Sequence, residues 1–512
     1  MTPIEYFWRH AHQPLGLTLK DAKSSLGGEE LYTAVRALSW RLLDKGVKRQ
    51  NRVAVMCGKN ASQVLGMLAT WNVGAIYVPI IVNNLQSRVD YVLKDCDIDY
   101  ILINDKTLLD HFKFGAIPVI SLSEELQNKS SGQDITPATS SVDEEISYII
   151  YTSGSTGQPK GVVITNSSLL CLMANASRDF QELTAPNIFL QVFEFSSDAT
   201  IWDISIWLVK GGTLIVVDIG QNVFKLVKAL LDYKPTYICN PATLYTLLIS
   251  VKPTWAQYDF NFVKCLISAA SYLPPKVALQ LLESFPMAHV YNCYGPTETT
   301  VYCSWTELNS ATIDESKPIS IGQILPGHRA YLYDGSRLHL ATDLEEDQEM
   351  ELCVAGPQLF REYWKAPELT KQKILFTANS ERVYRTGDLV RRKGDEFFYY
   401  GRTDDTIKIR GYRVNLGEIE LCLGAVPFVT HCAVVDIPAE NYGTDLLAFY
   451  TSSDDKGNRS DEEARTLRRR LEAELPSYMI PKQFVRISQF PYNSTGKIDR
   501  PALRKQIQTV IR

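Results

Sequence analysis

Over its first 150 or so residues the chain keeps switching hydrophobic period, and that switching limits its folds more than any other feature. LYTAVRALSWRLLDKGV (Leu31–Val47) places apolar residues at helical spacing and has a glycine near its end. RVAVMC (Arg52–Cys57) is a short β-rich run, and ASQVLGMLATWNVGAIYVPI (Ala61–Ile80) reads as helix, turn and strand. YILIND and PVISL add two short strands, after which polar Ser123–Glu145 reads as a surface connection. Parallel strands need long crossovers, so helices alternating with strands predict parallel sheets covered by helices. GGTLIVVD, TYICN and VKCLISAA continue the alternation, whereas AYLYD, MELCVAG and FFYYGR, beyond about Ile319, predict a β-rich unit. After GRTDDTIKIRGYRVN, two helical stretches (LGEIELCLGAV and EEARTLRRRLEAEL) flank the strand HCAVVDI, an α+β pattern the size of a small domain. The expected fold class is α/β: a large N-terminal domain of helix-covered, largely parallel sheets with a β-rich subdomain, then a small α+β C-terminal domain. At 512 residues the chain is too long for one core.

Charge narrows the function classes. A net charge of -5 argues against a general nucleic-acid binder. No apolar run has membrane-spanning length, and MTPIEYFWRHAHQPLG lacks the pattern of a secretory signal. The 10 cysteines form no CxxC pair and the 7 histidines no HExxH, so reduced thiols and a cytoplasmic location are expected.

The stretch IIYTSGSTGQPKGVV (Ile149–Val163) carries Thr152, Ser153, Gly154, Ser155, Thr156, Gly157 and Lys160 between apolar runs. Glycines let successive backbone N–H groups turn inward, and such a nest with hydroxyls and a lysine suits phosphate oxygens. Pro159 precedes the lysine and no Ser or Thr follows it, so this is not the Walker spacing. By composition alone a flexible surface turn is the favoured reading.

It has company. YTSGSTGQPKGV resembles the phosphate loop of the adenylate-forming superfamily, which includes acyl-CoA synthetases, luciferases and nonribosomal peptide synthetase adenylation domains. SDATIWDISIWLVKGGTL, NCYGPTETT, YRTGDLVRRKGDEFFYYGRTDDTIKIRGYRVNLGEIE and PYNSTGKIDR match further signatures in the same order, spanning Tyr151–Arg500. The resemblance implies a large domain over residues 1–401, a hinge at 402–404 centred on Asp404, and a mobile small domain over 405–512. It also implies two half-reactions: a carboxylate attacks the α-phosphate of ATP to give an acyl-adenylate, and a thiol then displaces AMP. The attacking carboxylate is already ionised, so no general base is needed; the barrier is electrostatic.

By the resemblance, Lys497 is the catalytic cation reaching the carboxylate and α-phosphate, and Glu298 is the Mg²⁺ ligand. Thr156 and Lys160 sit near the outer phosphates. Tyr294 lies on the adenine face and Asn292 reads its amino edge, with Ala269, Ala270, Gly295 and Thr297 completing the nucleotide site. Asp388 binds the ribose hydroxyls with help from Arg402. Gly411 lines the thiol approach.

Asp198, Ala199 and Trp202 stand in the D-A-x-x-W spacing of amino-acid-activating members. An α-ammonium entering a partly dry pocket needs a carboxylate partner, and losing it costs about 2–5 kcal/mol. Carried over residue by residue, the rest of the pocket is Cys239, Leu266, Ser268, Cys293, Val301 and Tyr302, which brings no charge and favours a neutral, mostly apolar amino acid. Trp202 and Tyr302 lean towards a small or medium side chain. The chain departs from the pattern at Ala269–Ser271 (AAS for GGE), Asn415 (for Glu) and Ser197 (for Phe). No carrier domain follows the lysine motif in this sequence; for a complete chain the expected acceptor is the phosphopantetheine arm of a separate carrier protein, or else coenzyme A. A D-alanine–carrier protein ligase, an acyl- or aryl-CoA ligase and a nucleotide sensor without catalysis remain alternatives.

Overall fold

The computed structural model describes residues 2–10, 13, 16–82, 85–104, 106–122, 144–152, 159–220, 222–403, 406–409, 411–439, 444–452, 460–491, 498–500 and 502–505. They divide into two compact units: Met1–Tyr151 with Gly161–Thr403, and Thr152–Lys160 with Asp404–Arg512.

The first unit opens on helical packing that the sequence dictates. Helix Glu29–Asp44 has two acidic residues in its first turn and buries Leu31, Val35, Leu38 and Leu42 along one stripe. The expected parallel strands follow. Arg52–Met56 pairs in parallel with both Ile76–Pro79 and Tyr100–Ile103, and Val119–Ser121 extends this edge. On the other side come Ile146–Thr152, Lys160–Thr165 and, antiparallel to the latter, Glu362–Tyr363.

A second sheet positions the site. Helix α1 (Asp198–Lys210) packs over its parallel strands, among them β1 (Tyr237–Pro241), β2 (Cys265–Ala269) and β3 (His289–Tyr294). Their residues are buried almost throughout, as strands covered on both faces require. The β-rich part does not stand apart as its texture suggests. Ser304–Glu307 and Ser320–Ile324 continue the ladder antiparallel from β3, and Glu396–Arg402, Arg382–Lys393, Met350–Ala355 and Arg329–Tyr333 extend it further.

The second unit has its own core. Strands Val429–Pro438, Thr444–Ser452 and Gln483–Arg486 form one sheet. Helices Leu416–Gly424 and Ser460–Glu472 supply Leu416, Ile419, Leu467 and Leu471 to a cluster with Val434 and Ala448.

Candidate functional site

A bulge sets out the first group of polar side chains. Between Met350–Ala355 and Arg382–Lys393 the register slips, with one residue on the first strand facing Thr386–Asp388 on the second. Gly387 takes φ 76° there, a left-handed value that favours glycine. The bulge is tied down at each residue. Thr386 Oγ1 donates to the Leu352 carbonyl, the Gly387 N–H donates to Glu351 Oε1 at 3.0 Å, and Arg385 pairs with Glu351 Oε2 at 2.6 Å. Asp388 is thereby presented to two partners: Tyr294 Oη donates to its Oδ2 at 2.6 Å and Arg402 pairs with its Oδ1. All three side chains are largely buried. Burial, and then the Asp388 charge, hold the Tyr294 phenol well above its ordinary value, so it remains a donor.

The segment after Tyr294 is tightly wound. A Cβ at Gly295 would lie 2.3 Å from the Val301 carbonyl oxygen, so only glycine fits. Thr300 and Val301 adopt φ 54° and 70°, costly for β-branched residues. Gln358, fully buried, holds them: its side-chain amide donates to the Thr299 and Tyr302 carbonyls, and its main-chain carbonyl accepts from Thr300 Oγ1 at 2.6 Å. Within this segment Thr297 and Glu298 lie in a single 3-10 turn, and buried Glu298 Oε1 accepts from Tyr363 Oη at 2.6 Å. Among the described residues no three His, Cys, Asp or Glu cluster as a metal site. Asn292 donates its amide to the Ser320 carbonyl at 2.8 Å, which turns its oxygen into an acceptor for another group. Ala269 ends β2, and Ala270 takes φ 58°, a conformation better suited to the glycine of the family pattern.

The second group lines one face of the β1–β3 sheet. Ser197 caps α1, accepting from the Ala199 N–H, which explains a serine where the pattern has phenylalanine. Asp198 thus begins the helix, where its charge complements the dipole. The Asp198 charge also adds to burial in raising the Tyr148 phenol, whose oxygen lies buried without a hydrogen-bond partner. Ala199 and Trp202 join Cys239, Cys293, Val301 and Tyr302 in one buried cluster.

Leu266 and Ser268 do not belong there. The ladder sets Cys239 opposite Ile267 and Ile267 opposite Tyr291, so Ile267 and Ala269 share the face of Cys239 and Cys293. Leu266 pairs with Ile238 and Val290 and packs with them in the cluster on the other face. Ser268, two residues on, pairs with Asn240 and Asn292 on that same face. A one-residue slip in alignment exchanges the two faces of a strand. Correcting it replaces Leu266 and Ser268 by Ile267 and Ala269.

Behind Trp202 lies an acid that the motif does not reveal. Trp202 Nε1 donates to Tyr237 Oη at 2.7 Å, and Tyr237 Oη donates to Asp203 Oδ1 at 2.9 Å. Asp203 is fully buried, and burial raises its carboxyl well above the ordinary range, against the opposing Tyr237 hydrogen bond and Lys59 charge.

Of the remaining sequence-derived positions, Thr152 closes its strand with its Oγ1 buried and lacking a hydrogen-bond partner, and Lys160 begins the next strand, largely buried. Gly411 has φ 85° at the tip of the hairpin joining Ile409 to Tyr412. That turn by itself accounts for a glycine. Ser153, Gly154, Ser155, Thr156, Gly157, Asp404 and Lys497 lie outside the described residues. The sequence reading missed Gln358, Glu351, Tyr363 and Tyr148. They support the motif residues from distant parts of the chain, and no local pattern marks them.

Comparison with known proteins now places the chain. Residues 7–364 match the model of the AMP-binding enzymes and residues 418–497 that of the AMP-binding enzyme C-terminal domain. The chain belongs to this family, the adenylate-forming enzymes. It is 31% identical over 502 residues to tyrocidine synthase 3 of Brevibacillus parabrevis, covering 95% of this chain but 7% of that protein. The chain therefore spans a small fraction of that relative's length. Among solved structures, an artificially fused adenylation–PCP di-domain from Klebsiella oxytoca, NpsA-ThdA, superposes with TM-score 0.81 at 22% identity, over 95% of this chain and 93% of that one. The o-succinylbenzoate CoA synthetase of Bacillus subtilis superposes with TM-score 0.82 at 18% identity, over 98% of each. At these identities the structures show the fold alone: an α/β large domain followed by a small α+β domain.

Proposed function

We propose that the protein activates a neutral, mostly apolar amino acid as its aminoacyl-adenylate and passes it to the phosphopantetheine thiol of a separate carrier protein. The observation that carries this reading is Asp198 at the start of α1, with Ala199 and Trp202 beyond it in the cluster that holds Cys239, Ile267 and Cys293. A carboxylate there answers an α-ammonium, while the neutral surface beyond it accepts an uncharged side chain.

The nucleotide is held by the bulge. Asp388, oriented by Tyr294 and Arg402, has acceptor capacity for the ribose hydroxyls, since each carboxylate oxygen takes more than one hydrogen bond. The Tyr294 ring backs the adenine and the Asn292 oxygen accepts from its amino group. Thr152, with the loop through Lys160, takes the phosphates that leave. Glu298, steadied by Tyr363, would hold Mg²⁺, which when bound supplies charge neutralisation to the phosphates; a lone carboxylate plus phosphate and water oxygens suits that hard ion. The substrate carboxylate then forms its bond to the α-phosphorus as the bond to pyrophosphate breaks. By the family resemblance, the Lys497 cation would offset the repulsion between the two anions. Carrier transfer draws support from the likeness to tyrocidine synthase 3 and to the carrier-fused structural neighbour.

An acid–CoA ligase is the second reading, favoured by the structural likeness to the CoA synthetase. A screen of ATP–pyrophosphate exchange separates them. Exchange with an amino acid supports the proposal. Exchange with fatty or aryl acids and with no amino acid contradicts it.

A further inference from the structure

We infer that Tyr302 closes the side-chain pocket and restricts the substrate to a small amino acid, of glycine to alanine size; this rests on the amino-acid reading above. Cys239 and Trp202, which would line the deep end, are each 0% exposed, and so is Ile267. No water-sized space touches them. Nearer Asp198, Ala199 is 2% and Cys293 4% exposed. Tyr302 causes this closure. Its hydroxyl lies 3.6 Å from Cys239 Sγ, and its ring meets the Trp202 ring edge-on with centroids 5.1 Å apart.

Neither side of the plug yields easily. Trp202 is held by Phe180 and Trp305 at ring distances of 5.4 and 5.8 Å and by its hydrogen bond to Tyr237, which Asp203 anchors. The backbone of Tyr302 is held as well. Its carbonyl accepts from Gln358 at 2.9 Å, its N–H donates to the Thr300 carbonyl at 3.0 Å, and the preceding Val301 is pressed against Gly295. A leucine or phenylalanine side chain could enter only by expelling the Tyr302 ring from this contact. That displacement would be charged against the larger substrates alone, so it acts as discrimination.

The test is ATP–pyrophosphate exchange with glycine, alanine, leucine and phenylalanine, using the wild type, Tyr302→Ala and Tyr302→Leu. The wild type is expected to show kcat/KM for glycine or alanine at least about tenfold above leucine and phenylalanine. Tyr302→Ala should raise the leucine or phenylalanine value by about tenfold or more, and Tyr302→Leu by less. A wild type that prefers leucine or phenylalanine overturns the inference while leaving amino-acid activation standing. Exchange with no amino acid but with a fatty or aryl acid overturns both. If Tyr302→Ala does not fold, shown by a lost thermal transition, the wild-type ranking and Tyr302→Leu still decide.

Discussion

The side chains proposed to hold the nucleotide and those proposed to line the substrate pocket are built on opposite plans. Around Asp388 the groups are polar, sit on a bulge and a tightly wound segment, and are each fixed by named hydrogen bonds. Around Cys239 they are strand and helix residues whose neighbours are apolar, fixed by ladder register and packing. On the proposed reading the first group meets the nucleotide, which is the same whichever acid is activated. The second, on that reading, meets the substrate side chain, so changes there bear on which acid is chosen.

The sharpest break in this contrast comes from Asp388→Ala. It removes the carboxylate shared by Tyr294 and Arg402, where each hydrogen bond to a charged group is worth about 1.5–3 kcal/mol. Pyrophosphate exchange should fall by on the order of a hundredfold or more, equally for every acid tried; a loss confined to one acid would erase the distinction between the two regions. The corrected register comes next. Leu266→Ala should cost about 2–5 kcal/mol of stability in a denaturant titration and leave the ranking of substrates unchanged, whereas Ile267→Ala should change the ranking. The opposite pattern would restore Leu266 to the pocket.

Asp203 gives a pH signature. Its folded pKa is raised by burial, so the native state keeps a proton that the unfolded chain releases above about pH 4. Stability from this group therefore falls as pH rises, by up to about 1.4 kcal/mol per pH unit until the native carboxyl ionises. Asp203→Asn should flatten that decline, read from urea midpoints at about pH 5 and about pH 7; an unchanged slope would show that Asp203 is ionised in the fold. Smallest of all, Ala270→Gly should stabilise by about 0.5 kcal/mol, relief of the left-handed strain less the entropy of an added glycine. A loss of stability would place the origin of that conformation elsewhere.

How much the sequence discloses follows the same division. The alternating periods of the first 150 or so residues foretold the parallel ladders, and the family motifs named Tyr294, Asp388 and Arg402, which the fold brings together. These residues sit in contiguous motifs, where spacing is fixed by the chain itself. Leu266 and Ser268 were misplaced because a strand tells inside from outside only through its register, and uniform burial of β2 removes the alternation that would reveal it. The join between the parallel and β-rich parts was hidden for a similar reason: Ser320–Ile324 pairs with Glu396–Arg402, setting Gly322 opposite Phe397 and Ser320 opposite Phe398, too far apart in the chain to leave a local trace. Gln358, Tyr363 and Asp203 act through contacts of the same long range.

The central claim is that Asp198 reads an α-ammonium. It is tested most directly by comparing Asp198→Ala with the wild type in pyrophosphate exchange, using the preferred amino acid and its des-amino analogue side by side. The account predicts that the variant loses about 2–5 kcal/mol of kcat/KM with the amino acid and little with the analogue. Equal losses with both substrates would contradict it.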